Sequence, residues 1–146
     1  MQRTANRIIS LALAGVLAGC GPNAGGAGRA DCTSTNAITQ VTGECTRTLA
    51  TLNEPRTEHV AVRTSDVQPF ATVAYEVSVE SGAVIVIFSD IVDSELTAAA
   101  TPGQPARGQA RVRLDPLNQI NFGLAPVEGT ATGVTYHVTF VCDCLP

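Results

Sequence analysis

Three observations in the sequence predict an all-β, antiparallel body. Residues 71–80 alternate between an apolar and a polar phase. Comparable alternation returns at residues 110–114, 119–124 and 134–142. Turn signals, Ser81-Gly82 and Asp115-Pro116 among them, separate these runs. Successive side chains of a strand point to opposite faces, so a period of two marks a sheet covered on one side.

The elements follow in order. Weak strands are expected near residues 46–52 and 58–63. The run 71–80 sets Ala71, Val73, Tyr75, Val77 and Val79 on one face, against Thr72, Ala74, Glu76, Ser78 and Glu80 on the other. Gly82 then suits a tight turn, since glycine tolerates positive φ. Residues 83–88 are apolar throughout and predict a central strand covered on both faces. A short strand is expected at 95–99. Residues 101–108 hold two Pro and two Gly and are expected as a loop. Ala110, Val112 and Leu114 then alternate with Arg111 and Arg113. Ile120, Phe122 and Leu124 alternate with Gln119, Asn121 and Gly123. Val134, Tyr136, Val138, Phe140 and Cys142 alternate with Thr135, His137, Thr139 and Val141. About seven or eight short strands at this spacing suit a β-sandwich, jelly-roll or immunoglobulin-like.

The N-terminus follows a different logic. Arg3 and Arg7 precede an apolar stretch, residues 8–17, broken only by Ser10. Ten residues are too few to span a bilayer, which takes about 20, and they match the core of a secretory signal. The stretch ends in Leu17-Ala18-Gly19-Cys20. This segment resembles the bacterial lipoprotein precursors, whose lipobox reads Leu-Ala/Ser-Gly/Ala-Cys. The resemblance covers roughly the first 22 residues. It implies a signal helix over residues 1–19 that is cut away, and a Cys20 that carries diacylglycerol and becomes the acylated N-terminus. Two or more acyl chains anchor stably, at about 0.8 kcal/mol for each buried CH₂. Localisation in a bacterial envelope follows, on the outer face of the cytoplasmic membrane or on an outer membrane. Gly21 after the cysteine favours the latter.

Residues 21–30, GPNAGGAGRA, have no apolar period and four glycines, so 20–31 is expected to be a lipidated Cys and flexible linker. The sandwich domain is expected over 32–146. Residues 75–140 are also similar to the sandwich modules appended to secreted proteases and carbohydrate-active enzymes. The shared features are a strand, a Ser-Gly turn, a buried strand and a late Gly-Val-Thr-Tyr strand; no site is carried over.

The whole chain of 146 residues has nine basic residues, all Arg, against thirteen acids, a net charge of −4. Without residues 1–19, seven Arg face the same thirteen acids, which gives −6. Phosphate backbones repel such a surface, so no nucleic-acid partner is expected. The expected partners are membrane lipid, through acylated Cys20, and a protein of the envelope.

With Cys20 lipidated, Cys32, Cys45, Cys142 and Cys144 remain. An even count outside the cytoplasm reads as two disulfides. Cys142 and Cys144 in one extended strand would stand ~6.5–7 Å apart, at the limit of disulfide reach. The favoured pairing is therefore nested, Cys32–Cys144 and Cys45–Cys142. Each bridge would close a loop of about 100 residues and contribute up to ~4–5 kcal/mol in the entropy model. The rival is a soft-metal or redox site on Cys142-Asp143-Cys144. C-x-C is not the C-x-x-C redox spacing, and His137 falls in the opposite phase to Cys142.

Other chemistry is sparse. Asp90, Asp93 and Glu95 offer hard oxygens to Ca²⁺ but lack the D-x-D-x-D-G loop, so they read first as a solvated acidic turn. His59 and His137 are the only histidines, and no G-x-S-x-G elbow is present. No catalytic residue, cofactor or metal is assigned. Tyr75, Phe122, Tyr136 and Phe140 fall in inward phases, and only Phe70, after Pro69, reads as a loop aromatic. The expected role is non-catalytic: envelope scaffold, adhesion or protein recognition. A ligand- or metal-ion-binding accessory module of a transporter or secreted enzyme is the second reading, and a small hydrolase the third.

Overall fold

Alternation in the sequence becomes alternation of burial. The computed structural model describes residues 30–89, 91–93 and 99–146. Its regular structure, among the described residues, is all strand: β1 (Asp31–Ala37), β2 (Gln40–Leu52), β3 (Arg56–Ala61), β4 (Phe70–Ser78), β5 (Val84–Phe88), β6 (Ile91–Asp93), β7 (Ala99–Ala100), β8 (Ala106–Arg113), β9 (Gln119–Pro126) and β10 (Ala131–Cys142). The expected signal helix and Cys20 lie outside the described residues.

The strands form two antiparallel sheets. One has the order β1-β2-β10-β4-β8-β6, the other β3-β9-β5-β7. From β3 onward each strand lies in the opposite sheet from its predecessor. Hairpins between chain neighbours would instead keep them in one sheet. This interleaving is the jelly-roll arrangement, and it decides between the two sandwich types the sequence allows.

The core lies between the sheets. Val73, Val77, Val134 and Val138 of the larger sheet and Val84, Val86, Ile120 and Leu124 of the smaller are all buried there. Four rings link the layers in sequence. Tyr75 and Phe88 lie 5.2 Å apart, Phe88 and Phe122 5.4 Å, and Phe122 and Tyr136 5.2 Å edge to face. Offset and edge-on ring pairs contribute ~0.5–1.5 kcal/mol each beyond area burial.

Several expectations need correction. The described residues form ten strands, where about seven or eight are expected for the domain. The sequence shows no apolar phase for β1, and β2 starts six residues earlier than the run at 46–52 suggests. β5 is central, between β9 and β7, yet Ile87 is 53 % exposed, so one of its faces is open. Residues 101–108 are only half loop. Thr101 and Gln104 exchange backbone bonds of 3.0 and 2.9 Å around Gly103, and β8 starts at Ala106. Pro105 precedes the strand, where its missing N–H costs nothing.

The disulfides join Cys32 to Cys45 and Cys142 to Cys144, so the nested pairing is wrong. The reason lies in register. Cys45 stands opposite Val138 of β10, four residues from Cys142, whereas Cys32 stands directly opposite Cys45. β2 thus separates β1 from β10. Cys142 ends β10, and the chain leaves the strand and bends at Cys144, with the Cα atoms of Cys142 and Cys144 5.3 Å apart. The bend is held from outside: Leu145 N donates to Asp66 Oδ2 at 2.9 Å, and Thr64 Oγ1 donates to the Leu145 carbonyl at 2.6 Å. Bonded sulfurs also retire the soft-metal reading of the C-x-C segment.

Gly43 of β2 lies opposite Phe140 in register, and a Cβ there would come within 2.6 Å of the Phe140 ring and of the Thr33 carbonyl. Glycine therefore lets the ring lie across β2.

β1 is exposed at all seven positions, so burial contributes little to its docking. Replacing Cys32 and Cys45 together by Ala is expected to lower stability by about 3 kcal/mol, the chain-entropy value for a loop near this size. Denaturant titration measures the loss. A non-reducing peptide map yields a Cys32–Cys45 fragment, and a Cys45–Cys142 fragment would overturn the pairing.

Candidate functional site

The larger sheet turns a wide face to solvent. Register arranges its outward residues in rows across β2, β10, β4 and β8. One row reads Thr42, Val141, Thr72, Arg111; the next Glu44, Thr139, Ala74, Gln109; the third Thr46, His137, Glu76, Arg107. Thr48 and Thr135 follow, their hydroxyls 2.9 Å apart. Thr135, His137 and Thr139 thus share an outward face, as their phase predicts.

Charges on this face are partly paired. Arg107 grips Glu76 with two bonds, Nε to Oε2 at 2.9 Å and Nη2 to Oε1 at 3.0 Å. That hydrogen bonding holds the Glu76 carboxyl below the ordinary range; partial burial opposes it, and the charges of Arg107 and His137 assist. His137 Nε2 lies 3.5 Å from Glu44 Oε2.

At one end of the face Phe70 opens β4, half-buried, rather than standing in a loop. The guanidinium groups of Arg111 and Arg113 lie 5.1 and 5.0 Å from its ring centroid. The other aromatics are inward as expected: Tyr75, Phe88, Phe122, Tyr136 and Phe140 are all buried.

Beneath the face lies a polar cluster that the sequence reading missed. Glu58 of β3 points between the sheets and is 4 % exposed. Arg47 Nη1 donates to its Oε2 at 2.7 Å, and Tyr136 OH donates to the same oxygen at 3.0 Å. Arg56 Nε stands 2.5 Å from Oε1. Its alignment is not that of a hydrogen bond, so Oε1 and Arg47 Nε are buried without directed partners. Burial and the neighbouring Glu58 charge push the Tyr136 phenol up to about 12. Burial alone raises Tyr75, whose hydroxyl also has no partner. The signal was present: Glu58 shares its phase with Val60, and Arg47 shares its phase with Cys45 and Leu49, so both charged residues fall on inward faces.

The predicted sites are placed as follows. Asp90 and Glu95 lie outside the described residues; Asp93 is on β6, in register with Arg111, and its side chain is outside the description. No group of three or more His, Cys, Asp or Glu able to hold a metal occurs among the described residues. His59 and His137 belong to different sheets. His59 is exposed, 2.5 Å from Asn121 Oδ1, and Asn121 Nδ2 donates to Asp115 Oδ2 at 2.9 Å. That bond, with backbone bonds from Gln119 and Leu117, lowers the Asp115 carboxyl.

No family model matches the chain, and no curated protein matches it. Among solved structures it is similar to the capsular polysaccharide assembling protein CapF from Staphylococcus aureus, at 7 % identity and a TM-score of 0.35. That match covers 76 % of this chain and 28 % of CapF. It is also similar to a Cupin_2 domain of an XRE family transcriptional regulator from Enterobacter cloacae. There the identity is 11 % and the TM-score 0.29, over 76 % of this chain and 94 % of that one. Nothing is carried from either to this chain.

Removing one partner of a buried ion pair strands the other. Glu58→Ala is expected to cost about 3 kcal/mol, near the lower end for uncompensated buried charge; Tyr136→Phe, which removes one bond, costs about 1 kcal/mol. Thermal or chemical denaturation gives both. In alkali the unfolded chain loses its tyrosine protons near pH 10, before the folded chain loses that of Tyr136 near 12. The unfolded state binds fewer protons across that window, so stability falls as pH rises through it. Ultraviolet titration of the native protein is expected to show delayed tyrosine ionisation, which a normal titration near pH 10 would refute.

Proposed function

We propose that this protein is a lipid-anchored module of a bacterial cell envelope, with a non-catalytic jelly-roll that serves adhesion or recognition. The observation that carries the reading is Leu17-Ala18-Gly19-Cys20, placed after two arginines and a ten-residue apolar stretch. The disulfides support the same compartment, because such bridges persist where thiols are not kept reduced. Cys32 in particular lies on an exposed strand, open to reductant. The recognition surface in this reading is the outer face of the larger sheet, with its threonine rows and paired charges.

A second reading, a ligand-binding accessory module, draws on the open cleft beside Phe70.

Metabolic labelling with palmitate in a bacterial host tests the anchor. The wild-type chain is expected to take up label and sediment with membranes, and Cys20→Ala to lose both properties. Unlabelled wild-type protein in the soluble fraction would sink the reading.

A further inference from the structure

We propose that the outer face carries, at its Phe70 end, a binding site for a carboxylate-bearing sugar ring, the uronate unit of an anionic glycan. This rests on the recognition reading of that face and names its ligand class; it does not depend on the lipid anchor.

The site is an open cleft of about 380 Å³ lined by Pro69, Phe70, Thr72, Arg111, Val141 and Asp143. That volume lies within the ~300–1,000 Å³ usual for small-molecule sites. Its cationic edge is preorganised. Arg111 and Arg113 project from alternate positions of β8 and lie over the ring of Phe70, which is itself the register partner of Arg113. A guanidinium stacked on a ring uses its flat face there and keeps its N–H edges for other partners. Those edges form the fork that takes a carboxylate by two parallel bonds.

Two of the neighbouring acids have partners of their own. Glu76 is held by Arg107. Asp143 accepts a 3.0 Å bond from Gln40 Nε2. Asp93 stands opposite Arg111 in register, and the register partner of Arg113 across β4 is Phe70.

The rest of the cleft suits a sugar better than a bare anion. Pro69 and Val141 offer apolar surface to the C–H face of a ring, and Val141 is 42 % exposed. Thr72 offers a hydroxyl that both donates and accepts. Beyond it the threonine rows continue across the sheet, so an extended polymer can lie along the face. A phosphate ion would use the forks and leave the apolar surface idle.

The test uses the purified full chain in a neutral detergent, with trigalacturonate as the probe and titration calorimetry as readout. Trigalacturonate is expected to bind, its methyl ester at least about tenfold more weakly, as loss of a charge-assisted bidentate pair implies. The double substitution Arg111→Gln with Arg113→Gln lowers affinity by a similar factor. Thr57→Ala, exposed on β3 of the smaller sheet, leaves affinity unchanged. Circular dichroism checks that the exposed substitutions keep the fold. Absence of trigalacturonate binding, equal affinity for its ester, or full affinity in the double variant would each overturn the proposal. Inorganic phosphate displacing the trimer at equal concentration would overturn the sugar assignment, leaving a plain oxyanion site. Palmitate labelling is unaffected by any of these results, so failure here is separable from failure of the anchor.

Discussion

The packing of Tyr75, Phe88, Phe122 and Tyr136 between the sheets sets the phase of everything else. Tyr75 and Tyr136 come from adjacent strands of the larger sheet, Phe88 and Phe122 from adjacent strands of the smaller. Because the side-chain period is two, committing Tyr136 inward commits Thr135 and His137 outward. A slip of one residue would exchange core and surface along the whole of β10. That strand pairs with β2 over one edge and β4 over the other, so its phase propagates to Thr46, Thr48, Glu76 and Thr72. The outer face is therefore the complement of the aromatic core. The same commitment brings the Tyr136 hydroxyl to Glu58, so the buried ion cluster depends on the ring packing too.

The two sheets differ in width, and the difference explains the first bridge. β1 extends the larger sheet beyond β2, while β3 is the edge of the smaller sheet. Nothing of the smaller sheet covers β1, which accounts for seven exposed residues in a row. A strand without a floor gains little from the hydrophobic effect. Backbone pairing with β2 and the Cys32–Cys45 bond hold it instead. The space below β1, beside His59, Val60 and Ala61, is an open cleft of about 260 Å³.

That asymmetry also separates what the sequence reveals from what it hides. Where both sheets cover a strand's inner face, the apolar phase is plain: residues 71–80 and 134–142 announce β4 and β10. β1 reads DCTSTNA because nothing lies beneath it, and no period-two test can find such a strand. β5 misleads in the opposite sense. Ile85 and Ile87 are apolar on the side of the smaller sheet that no layer covers, so composition alone predicts burial that the architecture does not provide. The cysteine pairing fails for a related reason. The spacing of an extended strand argues against a Cys142–Cys144 bridge, but the chain leaves the strand after Cys142, and the register that sets Cys32 against Cys45 depends on β1, which leaves no sequence signal. Of the candidate site, the threonine face was legible and the Arg–Phe70 stack was not, because a stack between adjacent strands requires knowing that β4 and β8 are neighbours.

The distribution of arginines adds a last constraint. With no lysine in the chain, every side-chain cation other than protonated histidine is a planar fork. Arg47 and Arg56 turn toward Glu58, and Arg107 toward Glu76. Arg111 and Arg113 instead share an aromatic ring. A body whose net charge is negative repels anions at long range, and at physiological salt that repulsion decays over about 8 Å. Attraction inside a shorter radius is set by the nearest groups, and near Phe70 those are two guanidinium forks and the Asp143 carboxylate, which accepts from Gln40. In the proposed reading, such a surface discourages indiscriminate contact with polyanions while keeping one place for a carboxylate. Selectivity of that kind needs a fixed local cluster, and Phe70 supplies a common anchor, with both guanidinium carbons within 5.1 Å of its ring centroid.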